Sequence, residues 1–253
     1  MLSRRHHELK ISYLKYRLSQ ILQGYYGNHR GYRAIYITHD PTDNEINNQH
    51  KRIIKLDSKQ GQLIRPIIEE SMRLQSELEY LESKWRIEYN GEPRIIKYPL
   101  KRLRQPPYNS EFFKNAKINS NTYKPEALKI IYKGQKFRTK NELSAAQVVE
   151  SLGYEYKSEI HIAGDHYDHY PDVSVNIPEL DLMLMSEIDG AMERSNYKLK
   201  SIERQYEYFD DGFCEFKDIV FLRMTDSQVF DPEAYKTLIR TAIEVNINDL
   251  FTD

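Results

Sequence analysis

The stretch "PDVSVNIPELDLMLMSEIDG" runs from Pro171 to Gly190. Val173, Val175 and Ile177 alternate with polar residues, which is the two-residue period of a strand. After Pro178, the segment "LDLMLMSEI" (180–188) reads as another strand, apolar enough to be largely buried. If the two pair as a hairpin, Asp172 at the start of the first and Glu187 near the end of the second meet at one end of the sheet. Neighbouring carboxylates at a sheet edge are expensive unless a cation occupies the space between them. Mg²⁺ or Mn²⁺ is the hard, oxygen-seeking ion for such a site. An ion of that kind polarises a phosphate and activates water, the logic of phosphodiester hydrolysis.

Upstream, "FRTKNELSAAQVVESLGYEY" spans Phe137 to Tyr156. It predicts a helix over about 139–152, with Leu143, Ala146, Gln147 and Val149 or Glu150 around its faces. Gly153 closes it, since glycine readily takes the left-handed conformation after a helix. "YEYKSEIHI" then alternates as a strand, and "GDHYDHY" reads as a polar turn. Glu142 lies in the first turns of the helix, with Arg138 and Lys140 just ahead; alone, it reads as a solvated helix-surface charge. Downstream, a helix is predicted over 191–209 and an apolar strand at "DIVFLRMT" (218–225). Asp231-Pro232 supplies an N-cap and a proline at the first helical position, opening a last helix through about Val245.

The first half of the chain has a different texture. Residues 8–23 place Leu9, Tyr13, Tyr16 (or Arg17) and Ile21 near helical spacing, and Gly24 ends the run. "GYRAIYITH" and "KRIIKLD" read as two strands around the polar loop "DPTDNEINNQ". A long helix follows, roughly 62–88, with Ile67, Ser71, Leu74, Leu78, Leu81 and Trp85 in a narrow coiled-coil-like stripe. That stripe is expected to pack on the first helix or on a partner subunit, so a homodimer through the long helix is one expectation. Five prolines, at 93, 99, 106, 107 and 125, then break regularity, and "KRLRQPPY" is a basic patch among them. The sequence thus predicts an N-terminal helix–hairpin–long helix module at 1–92, a basic linker at 93–125 and a second domain at 126–253.

Charge divides along the same line. Of the 253 residues, 30% are charged and 40% hydrophobic, and the net charge is −1. Residues 1–125 carry 23 Lys and Arg against 13 Asp and Glu, a net of +10, whereas residues 126–253 carry 14 against 25, a net of −11. A basic half suits a polyanion and an acidic half suits divalent metal; alternatively, the halves simply attract each other. The basic clusters "SRRHH", "KRIIK" and "KRLRQPPY" suit phosphate-backbone contacts, while no base-reading helix or zinc finger is evident. No apolar run approaches the roughly 18 residues of a membrane span, and no apolar segment follows the basic start as a signal peptide would. A cytoplasmic protein without membrane association is expected. The single cysteine, Cys214, excludes an internal disulfide and a Cys-based zinc site, and its acidic neighbours oppose thiolate formation. Asp165, His166, Asp168 and His169 match no zinc spacing and read as a solvated turn. No phosphate-binding glycine loop of Walker or Rossmann spacing occurs.

Several motifs in order carry a resemblance: "NTYKPE" (121–126), "RTKNE" (138–142), "PDV" (171–173), "SEIDG" (186–190) and "YKLKSIERQYEYFDDG" (197–212). This series resembles the PD-(D/E)XK, or restriction-endonuclease-like, nuclease superfamily. More narrowly, it is similar to a little-characterised bacterial group with RSKSE, PDF and WEHFG-type motifs. The resemblance covers nearly the whole chain and implies an α/β (α+β) fold, a restriction-endonuclease-like mixed sheet flanked by helices. It also implies a Mg²⁺- or Mn²⁺-dependent endonuclease acting on DNA, with Glu142, Asp172 and Glu187 as metal ligands and catalytic residues. Asp189 stands where the superfamily's E-x-K lysine belongs and becomes an auxiliary ligand. Ile188 stands where the narrower group usually has histidine. A basic group must then come from Lys140, Lys200 or Arg204, and Tyr197, Ser201, Arg204 and Tyr208 share one helix face. If none of these reaches the metal, the alternative is an inactive nuclease-fold protein that binds nucleic acid or a protein. An RNA nuclease is a further alternative.

Overall fold

Among its described residues, the computed structural model forms six α-helices and eleven strands, divided between two units. It describes residues 4–43, 52–98, 107–123, 125–190, 192–224 and 229–249. Most of the loop "DPTDNEINNQ" and the basic residues of "KRLRQPPY" lie outside the described residues. One unit comprises residues 1–100 with 151–153, and the other residues 101–150 with 154–253.

In the first unit, α1 (Arg4–Gln20) leads into a three-stranded antiparallel sheet of β1 (Gln23–His29), β2 (Tyr32–His39) and β3 (Arg52–Lys55). The sequence reading found β2 and β3 but not β1, because the glycines of "QGYYGNH" read as a helix stop. Gly24 and Gly27 belong to the strand because a Cβ there would strike the carbonyl oxygen or the ring of Tyr36. Helix α2 (Lys59–Glu88) starts at Ser58, whose hydroxyl accepts from the Gly61 N–H. Its stripe is buried within this one chain at Ser71, Leu74, Leu81 and Trp85, with Ile68 taking the place predicted for Ile67. Lys10 and Lys15 of α1 pair with Glu77 and Glu82 of α2 at 2.9 and 2.8 Å.

In the second unit, α3 (Ser110–Asn115) lies inside the stretch predicted to be irregular; Asn109 caps it through the Phe112 N–H. A small hairpin follows, β4 (Ile130–Tyr132) with β5 (Gln135–Phe137). Helix α4 (Lys140–Ser151) ends at Gly153, whose φ of +74° suits glycine. Then come β6 (Glu155–Ser158), the two-residue strands β7 (Ile162–Ala163) and β8 (Asp168–His169), and β9 (Val173–Ile177). A tight turn through Asp181, at φ +47°, joins β9 to β10 (Leu182–Asp189). Helix α5 (Ser195–Asp210) crosses to β11 (Ile219–Arg223), and α6 (Pro232–Asn248) closes the unit. Asp231 accepts from the N–H groups of Glu233 and Ala234, the cap that the sequence predicts.

The main sheet has the order β11-β10-β9-β6. β6, β9 and β10 are antiparallel neighbours, and β11 runs parallel to β10. The fold is therefore mixed α+β, built on small sheets with helices. Alternation along β10 sets which side chains meet α5. Met183 and Met185 join a buried cluster with Ile162, Tyr208, Phe213, Ile219 and Phe221, each buried aliphatic contributing about 1.5–3 kcal/mol. By the same parity Glu187 and Asp189 face the same way, whereas Ser186 faces α6 and receives a hydrogen bond from Tyr235 at 2.8 Å. Among the described residues no helix is long and apolar enough to cross a membrane.

Candidate functional site

The β9–β10 pairing places Val173 opposite Ser186, so Asp172 stands in line with Glu187 at the end of the hairpin. Oδ2 of Asp172 accepts from the Ile188 N–H at 2.8 Å, which fixes the carboxylate against β10. Glu187 is 2% exposed. Its Oε2 accepts from Arg204 Nη1 at 2.5 Å and its Oε1 from the Tyr208 hydroxyl at 2.7 Å. Asp189, equally buried, accepts from the Ser201 hydroxyl at 2.6 Å. Ser201, Arg204 and Tyr208 are spaced three and four apart on α5, so one helix face serves two consecutive inward positions of β10.

Glu142 reaches the cluster from α4. It is buried rather than a solvated surface charge. Its Oε2 accepts from the Arg138 N–H at 2.8 Å and its Oε1 from the Thr139 hydroxyl at 2.9 Å, while Thr139 Oγ1 accepts from the Glu142 N–H at 3.2 Å. This reciprocal Thr-x-x-Glu arrangement is a variant of the capping box. It aims the glutamate back past the helix start instead of out into solvent.

Burial dominates the electrostatics of these acids. The Asp172 carboxyl is raised well above its ordinary value, first by burial, then by the charges of Glu187 and Glu142. Burial also raises Glu187, against the opposing pull of Arg204 and Tyr208. Glu142 is raised by burial, against the hydrogen bonds from Arg138 and Thr139. The Tyr197 hydroxyl is pushed up to about 12 by burial and by Asp189. Arg204 is held protonated more firmly than usual, chiefly by Glu187 with Asp172 and Asp189 in support. The cluster thus holds four carboxylates against one guanidinium.

Of the other predicted basic groups, Lys140 and Lys200 are exposed, and neither is bonded to these carboxylates. Arg138, just ahead of Glu142, forms an ion pair with buried Glu159. As the side chains stand, no three His, Cys, Asp or Glu donors among the described residues converge closely enough to grip an ion. Arg204 occupies one of the Glu187 oxygens that such an ion would use.

Sequence reasoning missed His169. The loop that reads as a solvated turn buries this imidazole, which stacks on Tyr208 at 4.1 Å and 17°. Its Nε2 lies 2.6 Å from Asp211 Oδ2. Asp211 also accepts from the N–H groups of His166 and Tyr167, so one carboxylate anchors the whole turn. Burial opposes ionisation of Asp211, yet the His169 and backbone hydrogen bonds hold its carboxyl below the ordinary value. Asp165, Asp168 and the two histidines form no zinc-ligand triad; His161 instead pairs with Asp168 at 2.7 Å. No protein-family model matches the chain, and no curated protein or solved structure matches it.

Proposed function

We propose that the protein is a Mg²⁺- or Mn²⁺-dependent nuclease that hydrolyses phosphodiester bonds of DNA. The observation that carries this reading is the gathering of Asp172, Glu187 and Glu142, three acids from separate elements, at one end of a sheet, where the charges of Glu187 and Glu142 add to burial in raising Asp172. A fold that merely needed solubility would not bury carboxylates where the charges of two oppose the ionisation of a third. Two features support the superfamily resemblance. The mixed sheet β11-β10-β9-β6, in one unit with helices α4, α5 and α6, is compatible with the mixed sheet flanked by helices that it implies. The positions named by its "PD" and "E-x" motifs are those that cluster.

The donor set suits a hard divalent ion. Glu142, Asp172 and Glu187 all offer carboxylate oxygens. Glu142, Asp172 and Glu187 would hold the ion, with Asp189 as the auxiliary acid. When bound, the ion would supply Lewis-acid polarisation of a phosphate and a lowered water pKa. The chain's own residues orient that ligand set: Thr139 and the Arg138 N–H aim Glu142, the Ile188 N–H aims Asp172, and Tyr208 aims Glu187. Arg204 is the basic group adjacent to the carboxylates and would stabilise charge on the phosphate. Lys140 and Lys200, being exposed, suit contacts to the nucleic-acid backbone, as does the basic first half.

The testing experiment is cleavage of single- and double-stranded DNA, and of RNA, with Mn²⁺, Mg²⁺ or EDTA, comparing wild type with Asp172→Ala and Glu187→Ala. Metal-dependent DNA cutting lost in both variants is expected. A second reading, a non-catalytic protein binding nucleic acid, is favoured by one observation, the Arg204 bond to Glu187. Folded wild type that binds DNA without cutting it would favour that reading.

A further inference from the structure

Asp189 has an uncommon environment for a buried carboxylate. It is 1% exposed. One oxygen, Oδ2, accepts from Ser201, while the other, Oδ1, has no hydrogen-bond partner. Nη1 of Arg204 lies 2.5 Å from Glu187 Oε2 and 3.7 Å from that orphaned Oδ1. One guanidinium therefore faces two buried carboxylates and is bonded to only one of them. A buried acceptor left unbonded is costly. A short shift of the guanidinium toward Asp189 exchanges one charge-assisted bond for another, and the same shift frees an oxygen of Glu187.

From this geometry we infer that Arg204 is the resident counter-cation of the carboxylate cluster and that Asp189 is its second seat, taken up when a divalent cation occupies Glu187. The inference rests on the metal-binding reading above and concerns how that site is regulated. Without the ion, Arg204 offsets part of the clustered charge and closes Glu187. With the ion, Asp189 receives the arginine, so its carboxylate sets how strongly Arg204 competes for Glu187. Asp189 is then a positioning residue acting through Arg204, and Ser201 holds its carboxylate with Oδ1 toward the guanidinium. The arrangement gives a purpose to an acid at the place where the E-x-K pattern has a lysine.

The test is calorimetric titration of Mn²⁺ into the full chain without nucleic acid. It compares wild type, Arg204→Gln, Arg204→Lys, Asp189→Asn and the double variant Asp189→Asn/Arg204→Gln. Arg204→Gln removes the competing charge and is expected to bind Mn²⁺ at least about tenfold more tightly. Arg204→Lys keeps the charge and stays within about threefold of wild type. Asp189→Asn removes the second seat and weakens binding about tenfold, but by less than about threefold when Arg204 is already Gln. Melting temperatures in EDTA and in Mn²⁺ establish that each variant is folded, and Arg204→Gln should show the larger metal-induced rise. Arg204→Gln binding no more tightly than wild type would overturn the inference while leaving the metal site intact. Equal weakening by Asp189→Asn in both backgrounds would make Asp189 a direct ligand and overturn its role as the second seat. If Arg204→Gln does not fold, unchanged affinity in Asp189→Asn would overturn the inference. No binding by wild type or any variant would defeat the metal-binding reading itself.

Discussion

Replacing Tyr208 by phenylalanine removes one oxygen atom from the centre of the site. The ring would keep its stack on His169 and its edge contacts with Phe213 and Phe221. The loss is the 2.7 Å hydrogen bond to Glu187, a carboxylate buried in the same cluster. A hydrogen bond to a charged acceptor contributes about 1.5–3 kcal/mol, so the expected cost at neutral pH is about 2 kcal/mol. For a unit of this size that lowers the melting temperature by about 4–8 °C. The deficit should depend on pH. The Glu187 carboxyl is already raised by burial, and Tyr208 is one of the groups holding it down. As pH falls through that raised value toward the ordinary 4.5, Glu187 takes a proton and the bond becomes neutral to neutral, worth about 1 kcal/mol. The penalty should therefore halve on acidification. The assay is thermal denaturation in EDTA from about pH 8 to 5, followed by circular dichroism; Trp85, the only tryptophan, lies in the other unit. A melting temperature within about 1 °C of wild type, or a deficit that ignores pH, would refute the reasoning.

Three further outcomes follow from the same geometry. Asp172→Asn should stabilise the metal-free protein near neutral pH by about 1 kcal/mol and abolish Mn²⁺ binding. Because the folded-state carboxyl is raised, its ionised form is a liability above that value; wild type recovers the difference as pH falls toward 3.8, and melting curves against pH would show the two converge. Thr139→Ala removes the capping hydroxyl from both the helix start and Glu142, and should cost about 1 kcal/mol in urea denaturation. Asp211→Ala should destabilise the second unit by about 2–3 kcal/mol, because three donors lose their acceptor. The share owed to the ionised carboxylate is present at neutral pH and is lost as pH falls below 3.8, through the depressed folded value, which acid titration followed by circular dichroism would resolve.

What the sequence made legible had local causes. Alternation marked β9, an apolar run marked β10, an Asp-Pro cap opened α6, and a glycine closed α4, since each signal lies within a few residues of its effect. The three- and four-residue steps of Ser201, Arg204 and Tyr208 likewise gave their shared face on α5. Short elements escaped: β4 and β5 have three residues each, too few to show a period, and the glycines of β1 imitate a helix stop. The burial of Glu142 was readable in principle, because Thr139 three residues earlier is a capping-box signal, but its helix-surface neighbours masked it. His169 left no local trace at all. Its burial comes from Tyr208 and Asp211, some forty residues away, and only tertiary packing brings them to the turn.

The most direct test of the central claim is cleavage of supercoiled plasmid DNA by wild type across a Mn²⁺ titration, with Asp172→Ala assayed beside it. The account predicts nicking and linearisation that rise with Mn²⁺, stop with EDTA, and fall more than about a hundredfold in the variant. Plasmid left intact by folded wild type at saturating Mn²⁺, or cut equally well by Asp172→Ala, would contradict it.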